Sequence, residues 1–225
     1  MTLSLFIPRP SKIIKDMVNW KKLSDKISGE VRLQHFTTST KLAIARQHCH
    51  KLKTIVPTQK VTDLVKVKFV EPNKVSIEFR YYLPAKIDDY FDKLDAFFYS
   101  LRSCIDSFFW EINLIFNLGF SRINFKEIRE KMNEKYIEKE ITNLLYDLRD
   151  EPWFKYLNGI RNCLAHHKLS EFATAKDLKL YLPSNPEELD KPGSYSLEKE
   201  FEVLPCLETL SINVRVLRKR IWPSY

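Results

Sequence analysis

Residues 88–118 read DDYFDKLDAFFYSLRSCIDSFFWEINLIFNL, a stretch that contains neither proline nor glycine and stops at Gly119. Its apolar residues recur every three or four positions, at Leu94, Phe97, Leu101, Cys104, Ile105, Phe108, Ile112 and Ile115. That period puts them on one face of an α-helix, and the acidic pair at the start suits the positive end of the helix dipole. The stretch therefore predicts a long amphipathic helix from Asp88 to Leu118, with one face in a core.

The segments that follow also favour helices. Their patterns predict helices at Phe125–Arg149, at Pro152–His167, where proline suits the first turn, and at Phe201–Ile221. A short strand is a candidate at Lys179–Leu182, and prolines mark a surface loop at 183–197. The predicted fold class is mainly α, a helical bundle with a small β-hairpin insertion and this one further strand.

The first 84 residues predict a different mixture. An irregular arm holds a short helix around Ile13–Leu23, and Thr37–Thr40 offer an N-cap to a helix at Lys41–Ile55. Apolar and polar residues alternate on both sides of a Pro-Asn turn at 72–73, which indicates a β-hairpin. We predict one compact unit made of an N-terminal arm and helix at 1–60, the hairpin at 61–84 and a helical domain at 85–225.

Charge and glycine content narrow the function classes. The 225 residues include 37 Lys and Arg against 29 Asp and Glu, a net charge of +8, which favours polyanionic partners such as RNA, DNA or an anionic surface. Only 4 glycines are present, and none lie close together. This excludes the glycine-rich phosphate loops of P-loop, dinucleotide-binding and kinase proteins, and the GxSxG nucleophile pattern is also missing.

Cysteine spacing and hydropathy bear on the compartment and on metals. The 4 cysteines form no CxxC pair and sit in apolar runs, so we predict core thiols rather than disulfides or zinc ligands. His48 and His50 diverge by about 200° on a helix and do not predict a metal site. No signal-peptide pattern and no apolar run of membrane-spanning length are visible. We therefore expect a cytoplasmic protein with no membrane segment and no cofactor.

The helix at 152–167 carries the candidate chemistry on the face opposite its apolar residues. Asn158, Asn162 and His166 follow one another at intervals of four, Arg161 flanks them, and the small Ala165 leaves room for an approaching group. Arginine binds phosphate with a planar fork of donors, and histidine moves protons near neutral pH. The combination is typical of phosphoryl-transfer chemistry, although a solvated helix face is the plain alternative.

The string YLNGIRNCLAH at 156–166 resembles the HEPN superfamily, the "higher eukaryotes and prokaryotes nucleotide-binding" helical domains, through its RNxxAH motif. The resemblance implies a helical bundle, often dimeric, and a metal-independent endoribonuclease of bacterial toxin–antitoxin or phage-defence systems. It implies that His166 transfers a proton at the scissile phosphodiester, that Arg161 holds the phosphate, and that Asn162 orients these groups or binds RNA. Lys168 stands where one subgroup has a modified tyrosine, so that form of regulation is not expected.

Other residues are candidates for support of this pair. The resemblance suggests Asp106, and as a second choice Glu111, as a carboxylate beside Arg161 and His166, while Asn158 could contact RNA. A surface ion pair between Arg102 and Asp106 is the alternative for the former. The basic end of the last helix, 215–220, either contacts RNA phosphates or complements the helix dipole.

Expected partners are RNA, a second copy of the chain and an antitoxin protein. Arg161 and His166 lie five positions apart, about 140° around a helix, so one chain does not easily aim both at one phosphate. A two-fold axis beside Ala165 would combine Arg161 of one chain with His166 of the other, and Phe154 could add apolar contact. The competing hypothesis is a non-catalytic HEPN domain that binds RNA, nucleotide or a protein partner; a metal-dependent nuclease is disfavoured.

Overall fold

The structure is a computed structural model that describes residues 25–55, 85–122, 124–134, 139–166, 174–176, 179–183 and 200–221. Within these ranges the fold is mainly helical with a small antiparallel sheet, which confirms the predicted class. The elements in chain order are α1 (Asp25–Thr54), α2 (Ala85–Ile115), α3 (Phe125–Glu134), α4 (Lys139–Asp150), α5 (Pro152–His166), β1 (Thr174–Lys176), β2 (Lys179–Pro183), β3 (Glu200–Glu202) and α6 (Val203–Ile221). The predictions of a helix at 13–23 and a hairpin at 61–84, and most of the loop prediction, lie outside the described residues.

Helix α1 begins 16 residues before the predicted start, at Asp25 instead of Lys41. The hydroxyls of Thr37, Thr38 and Ser39 each donate to the backbone carbonyl four residues earlier, at 2.9 Å. Such back-bonding satisfies a hydroxyl in the interior of a helix, so a run of Thr and Ser need not mark a helix start. The N-cap prediction at Thr37–Thr40 is therefore wrong.

Helix α2 lies at the centre of the core, and α1 packs along it. Its predicted apolar face is buried from Leu94 to Ile112. Beyond the helix, Asn117 and Gly119 have φ values of 46° and 82°, a left-handed conformation that glycine adopts without a steric penalty. Helices α3, α5 and α6 also pack on α2, so four of the described helices contact it.

The described helices after α2 largely coincide with the predicted stretches, except at the start of the last one. Within the stretch predicted as one helix at Phe125–Arg149 the structure describes α3 and α4, and residues 135–138 between them lie outside the described residues. The last helix starts at Val203 because Glu200–Glu202 pairs antiparallel with β2, which lies between β1 and β3. Phe201 is buried opposite Leu182 between two glutamates, a two-residue alternation that suits a strand.

Three thiols belong to this core. Cys49, Cys104 and Cys206 are free and buried, as predicted, while the Cys163 side chain is outside the described part. Burial raises the pKa of Cys104 and of Cys206 to about 12. None of the described helices combines the length and the hydropathy that crossing a membrane requires.

Candidate functional site

Helix α5 presents its polar residues as the helical wheel predicts. Its apolar residues Trp153, Tyr156, Leu157, Ile160 and Leu164 are buried. On the other side Arg161 and Asn162 are exposed and Asn158 is half-buried. His166 is the last residue of the helix, and its side chain lies outside the described part.

Helix α2 contributes Arg102 to the same place. Arg102 Nη1 donates to Asn158 Oδ1 at 2.7 Å, and Nη2 pairs with Asp106 Oδ1 at 2.8 Å. One turn away, the Tyr99 hydroxyl donates to the backbone carbonyl of Leu164 at 2.9 Å. These contacts fix α5 against α2 and hold the Asn158 amide in one orientation. We call Arg102, Asp106, Asn158, Arg161 and Asn162 together the Arg161 surface.

The Arg161 surface holds two guanidinium groups under mutual repulsion. Burial lowers the pKa of Arg102, the Asp106 carboxylate opposes that effect, and the charge of Arg161 lowers it further. Arg161 Nη1 lies 3.3 Å from Asn162 Oδ1, on the solvent side. Two neighbouring guanidinium groups with one half-exposed carboxylate between helices leave a local excess of positive charge. A bound phosphate would offset that repulsion.

Four of the sequence-predicted residues therefore come together, although not all in the expected way. Asn158, Arg161, Asn162 and Asp106 share the Arg161 surface, and the ion pair that Asp106 forms is the alternative one with Arg102. The link from Arg102 to Asn158 was missed. The sequence places Arg102 on the polar face of α2, but only the packing of the two helices shows which side chain it contacts.

Glu111 belongs to a different cluster, which corrects its predicted role beside Arg161 and His166. Its fully buried carboxylate contacts the Thr38 hydroxyl and lies 3.2 Å from His35 Nδ1. The other ring nitrogen of His35 lies 2.8 Å from Arg218 Nη2. An arginine only donates, so Nε2 of His35 accepts and Nδ1–H donates to Glu111. Glu111 thus joins α1, α2 and α6, and we call it with His35, Thr38 and Arg218 the Glu111 cluster.

Phe154 is also placed differently from the prediction. It was expected to add apolar contact at a dimer interface, but its side chain is buried in the core. Its ring centroid lies 5.1 Å from that of Phe125 and 6.4 Å from that of Phe109. Position 154 lies about 100° around the helix from the buried Trp153, so the core face of α5 is wider than the predicted arc.

Neither a group of possible metal ligands nor a similarity to known proteins assigns a function to this site. Among the described residues, no group of three or more His, Cys, Asp or Glu side chains is arranged to hold a metal ion. No family model matches the sequence, and neither the curated proteins nor the solved structures contain a match.

Proposed function

We propose that the chain is a HEPN-type, metal-independent endoribonuclease of the cytoplasm, acting in bacterial toxin–antitoxin or phage-defence systems. The observation that carries the proposal is the exposed Arg161–Asn162 pair beside Arg102 and Asn158. This pair belongs to the RNxxAH string at 161–166. The net charge of +8 is compatible with an RNA substrate.

Arg161 and His166 carry the proposed reaction, and Asn162 orients these groups or binds RNA. The RNA 2′-hydroxyl attacks the adjacent phosphorus as it loses a proton, and the bond to the 5′-oxygen breaks as that oxygen gains one. His166 either accepts the proton of the 2′-hydroxyl or donates a proton to the leaving 5′-oxygen. The products are a 2′,3′-cyclic phosphate and a 5′-hydroxyl. Arg161 binds the phosphate and stabilises the added negative charge of the transition state.

Arg102 and Asn158 position the substrate in this scheme. Asp106 holds Arg102 by an ion pair, and Arg102 in turn holds the Asn158 carbonyl oxygen. Because Arg102 engages the oxygen, the amide nitrogen of Asn158 is the part of this side chain that would donate to an RNA oxygen. Arg102 adds positive potential without being the group that touches the scissile phosphate.

The working form in this proposal is a homodimer with composite sites. Arg161 and His166 are five positions apart on α5, so their Cα–Cβ directions differ by about 140°. A two-fold axis near Ala165 would combine Arg161 of one copy with His166 of the other. Because Phe154 is buried, the interface would depend on residues nearer the C-terminal end of α5.

Cleavage of total RNA by the purified chain tests the assignment. We expect Arg161→Ala and His166→Ala each to lower the cleavage rate by about 10²–10³-fold, as for loss of a group that stabilises the transition state. Lys155→Ala is the matched control, because Lys155 is an exposed cation on the same helix. Its rate should stay within about twofold of wild type, since it lies outside the Arg161 surface. Wild-type rates in either site variant would refute the assignment.

The same assay separates the competing functions. Cleavage that persists in excess chelator and yields cyclic phosphate ends supports the proposed mechanism. Activity that vanishes with chelator and returns with Mg²⁺ indicates a metal-dependent nuclease instead. RNA binding without any cleavage by the wild-type chain indicates a non-catalytic RNA-binding domain.

Mixing the two inactive variants tests the composite site. If subunits exchange, a heterodimer of Arg161→Ala and His166→Ala contains one intact pair, so the mixture should recover part of the wild-type activity. Light scattering should show a dimer at micromolar concentration. An active monomer would exclude the composite site while leaving the nuclease assignment in place.

A further inference from the structure

A second basic region lies between α1 and α6, away from the Arg161 surface. A cavity of about 310 Å³ opens there, lined by Arg46 of α1 and by Arg215, Arg218 and Lys219 of α6. His35, Ser39 and two apolar residues of α1 complete its wall. Arg218 and Lys219 lie three and four positions after Arg215, so one side of that helix carries all three cations.

Arg218 is held in place at this cavity by α1. Its Nη2 lies 2.5 Å from Ser39 Oγ, 2.8 Å from His35 Nε2 and 3.1 Å from the backbone carbonyl of His35. Glu111 supports His35 from behind, so the ring cannot turn away without losing a buried contact. The cavity therefore contains a preorganised guanidinium rather than a freely moving surface side chain.

The charge of the cavity wall is one-sided. Four cationic side chains line it, and none of the described residues in the wall is acidic. The Glu111 carboxylate is fully buried and contacts His35 and Thr38, so it does not face the cavity. Four cations around a concave space whose described wall has no acidic side chain favour a ligand with more than one negative charge.

We propose that this cavity binds a phosphate group with two negative charges, with Arg218 as its fixed donor. Arg46, Arg215 and Lys219 would neutralise the ligand from the cavity rim, and Ser39 and His35 keep the Arg218 guanidinium in position. A volume near 310 Å³ is at the lower end of small-molecule pockets and suits a phosphate with a small attached group. Such a phosphate comes either from a small molecule or from the 5′ end of an RNA.

Calorimetric titration of the full chain with pyrophosphate at constant ionic strength tests the site. We expect one binding event per chain, weakened about tenfold or more by Arg46→Gln/Lys219→Gln because both changed cations line the cavity. Both residues are exposed, and unchanged thermal unfolding of this variant confirms that it folds. Arg32→Gln/Lys51→Gln is the matched control, because it removes two exposed cations of α1 outside the cavity.

The control variant decides whether the effect is local. Binding that the control retains and the cavity variant loses supports the site. Absence of a one-to-one event, or equal weakening in both variants, overturns it, because general charge attraction would then explain the binding.

A second titration identifies the source of the phosphate. Oligoribonucleotides of one sequence carry either a 5′-phosphate or a 5′-hydroxyl. Tighter binding of the phosphorylated oligonucleotide, lost in the cavity variant, assigns the site to RNA ends. Equal binding of both, together with an intact pyrophosphate site, assigns it to a small phosphorylated molecule. The inference does not depend on the nuclease proposal, since pyrophosphate binding is measured without cleavage.

Discussion

The Arg161 surface and the Glu111 cluster both include residues of α2, yet they lie on different sides of that helix and their carboxylates differ in exposure. Arg102 and Glu111 are nine positions apart, so they leave the helix in opposite directions, about 180° apart. The Glu111 carboxylate is 0% exposed, whereas the Asp106 carboxylate is 42% exposed. The Glu111 cluster closes the packing of α1 and α6 on α2, and the Arg161 surface leaves its charges open to solvent and to a ligand.

The difference shows where polar groups stabilise and where they remain available. A buried carboxylate stays buried only if its oxygens have partners, and Glu111 has His35 and Thr38. A half-exposed carboxylate needs no such closure, because water solvates it. The buried Glu111 carboxylate therefore stabilises the packing of the fold, whereas the exposed Arg161 remains available to a substrate.

The largest expected effect is the loss of stability on truncation of Glu111. Glu111→Ala should lower the free energy of unfolding by about 3–5 kcal/mol, because it leaves a cavity at a fully buried position and removes the acceptor of the His35 Nδ1–H donor. Asp106→Ala should cost less than about 1 kcal/mol, the range for an exposed ion pair. Urea unfolding of both variants measures the contrast.

Glu111→Gln serves as the control for volume in the same experiment. It keeps the size of the side chain and one acceptor oxygen, so its cost should fall between those of the two alanine variants. An equal loss of unfolding free energy in Glu111→Ala and Asp106→Ala would mean that the Glu111 cluster stabilises the fold no more than the Arg161 surface does.

The two clusters also differ in how far the sequence revealed them. Within α5 and within α2 the residues of the Arg161 surface follow helical spacings that a wheel displays directly, and only the contact between Arg102 and Asn158, 56 positions apart, needs the packing of the two helices. The Glu111 cluster joins residues separated by 76 and 183 positions, and no local pattern links them. Its α1 part was further hidden because hydroxyls at 37–39 resemble an N-cap when the back-bonding is not known.

An intermediate effect is expected where Arg102 links α2 to α5. Arg102→Ala should cost about 1.5–3 kcal/mol of stability, because a charged hydrogen bond to Asn158 and an ion pair to Asp106 are lost together. A double-mutant cycle with Asn158→Ala should give a coupling energy near 1 kcal/mol. The same cycle with Lys155→Ala should give none, since Lys155 pairs with Asp150 instead.

A second substitution at Arg102 tests the role of Asn158 in the proposed reaction. If Arg102 positions Asn158, Arg102→Lys should weaken RNA binding more than it slows the bound reaction. A lysine keeps the charge and loses the planar fork.

In the double-mutant cycle, coupling as large with Lys155 as with Asn158 would mean that the cycle reports general destabilisation rather than the α2–α5 link.

The smallest expected effect is on thiol labelling, and it tests whether the Glu111 cluster stabilises its surroundings locally. Burial raises the pKa of Cys104 and Cys206 to about 12, so at pH 8 only about one thiol in 10⁴ is a thiolate. Both should therefore resist alkylation until the structure opens. The Cys104 sulfur lies 3.4 Å from the carbonyl oxygen of Thr38, a residue that contacts Glu111, so it borders the cluster.

Glu111→Gln should then speed labelling of Cys104 about fivefold relative to Cys206, the equivalent of about 1 kcal/mol of local stability. Mass spectrometry of alkylated peptides reads each cysteine separately, and Asp106→Asn is the control on the other side of α2. Global unfolding exposes both thiols together, so equal acceleration would show that Glu111 stabilises the whole fold and not its own neighbourhood. Preferential labelling of Cys104 would show that α1 loosens from α2 at the Glu111 cluster while the surroundings of Cys206 on α6 stay closed.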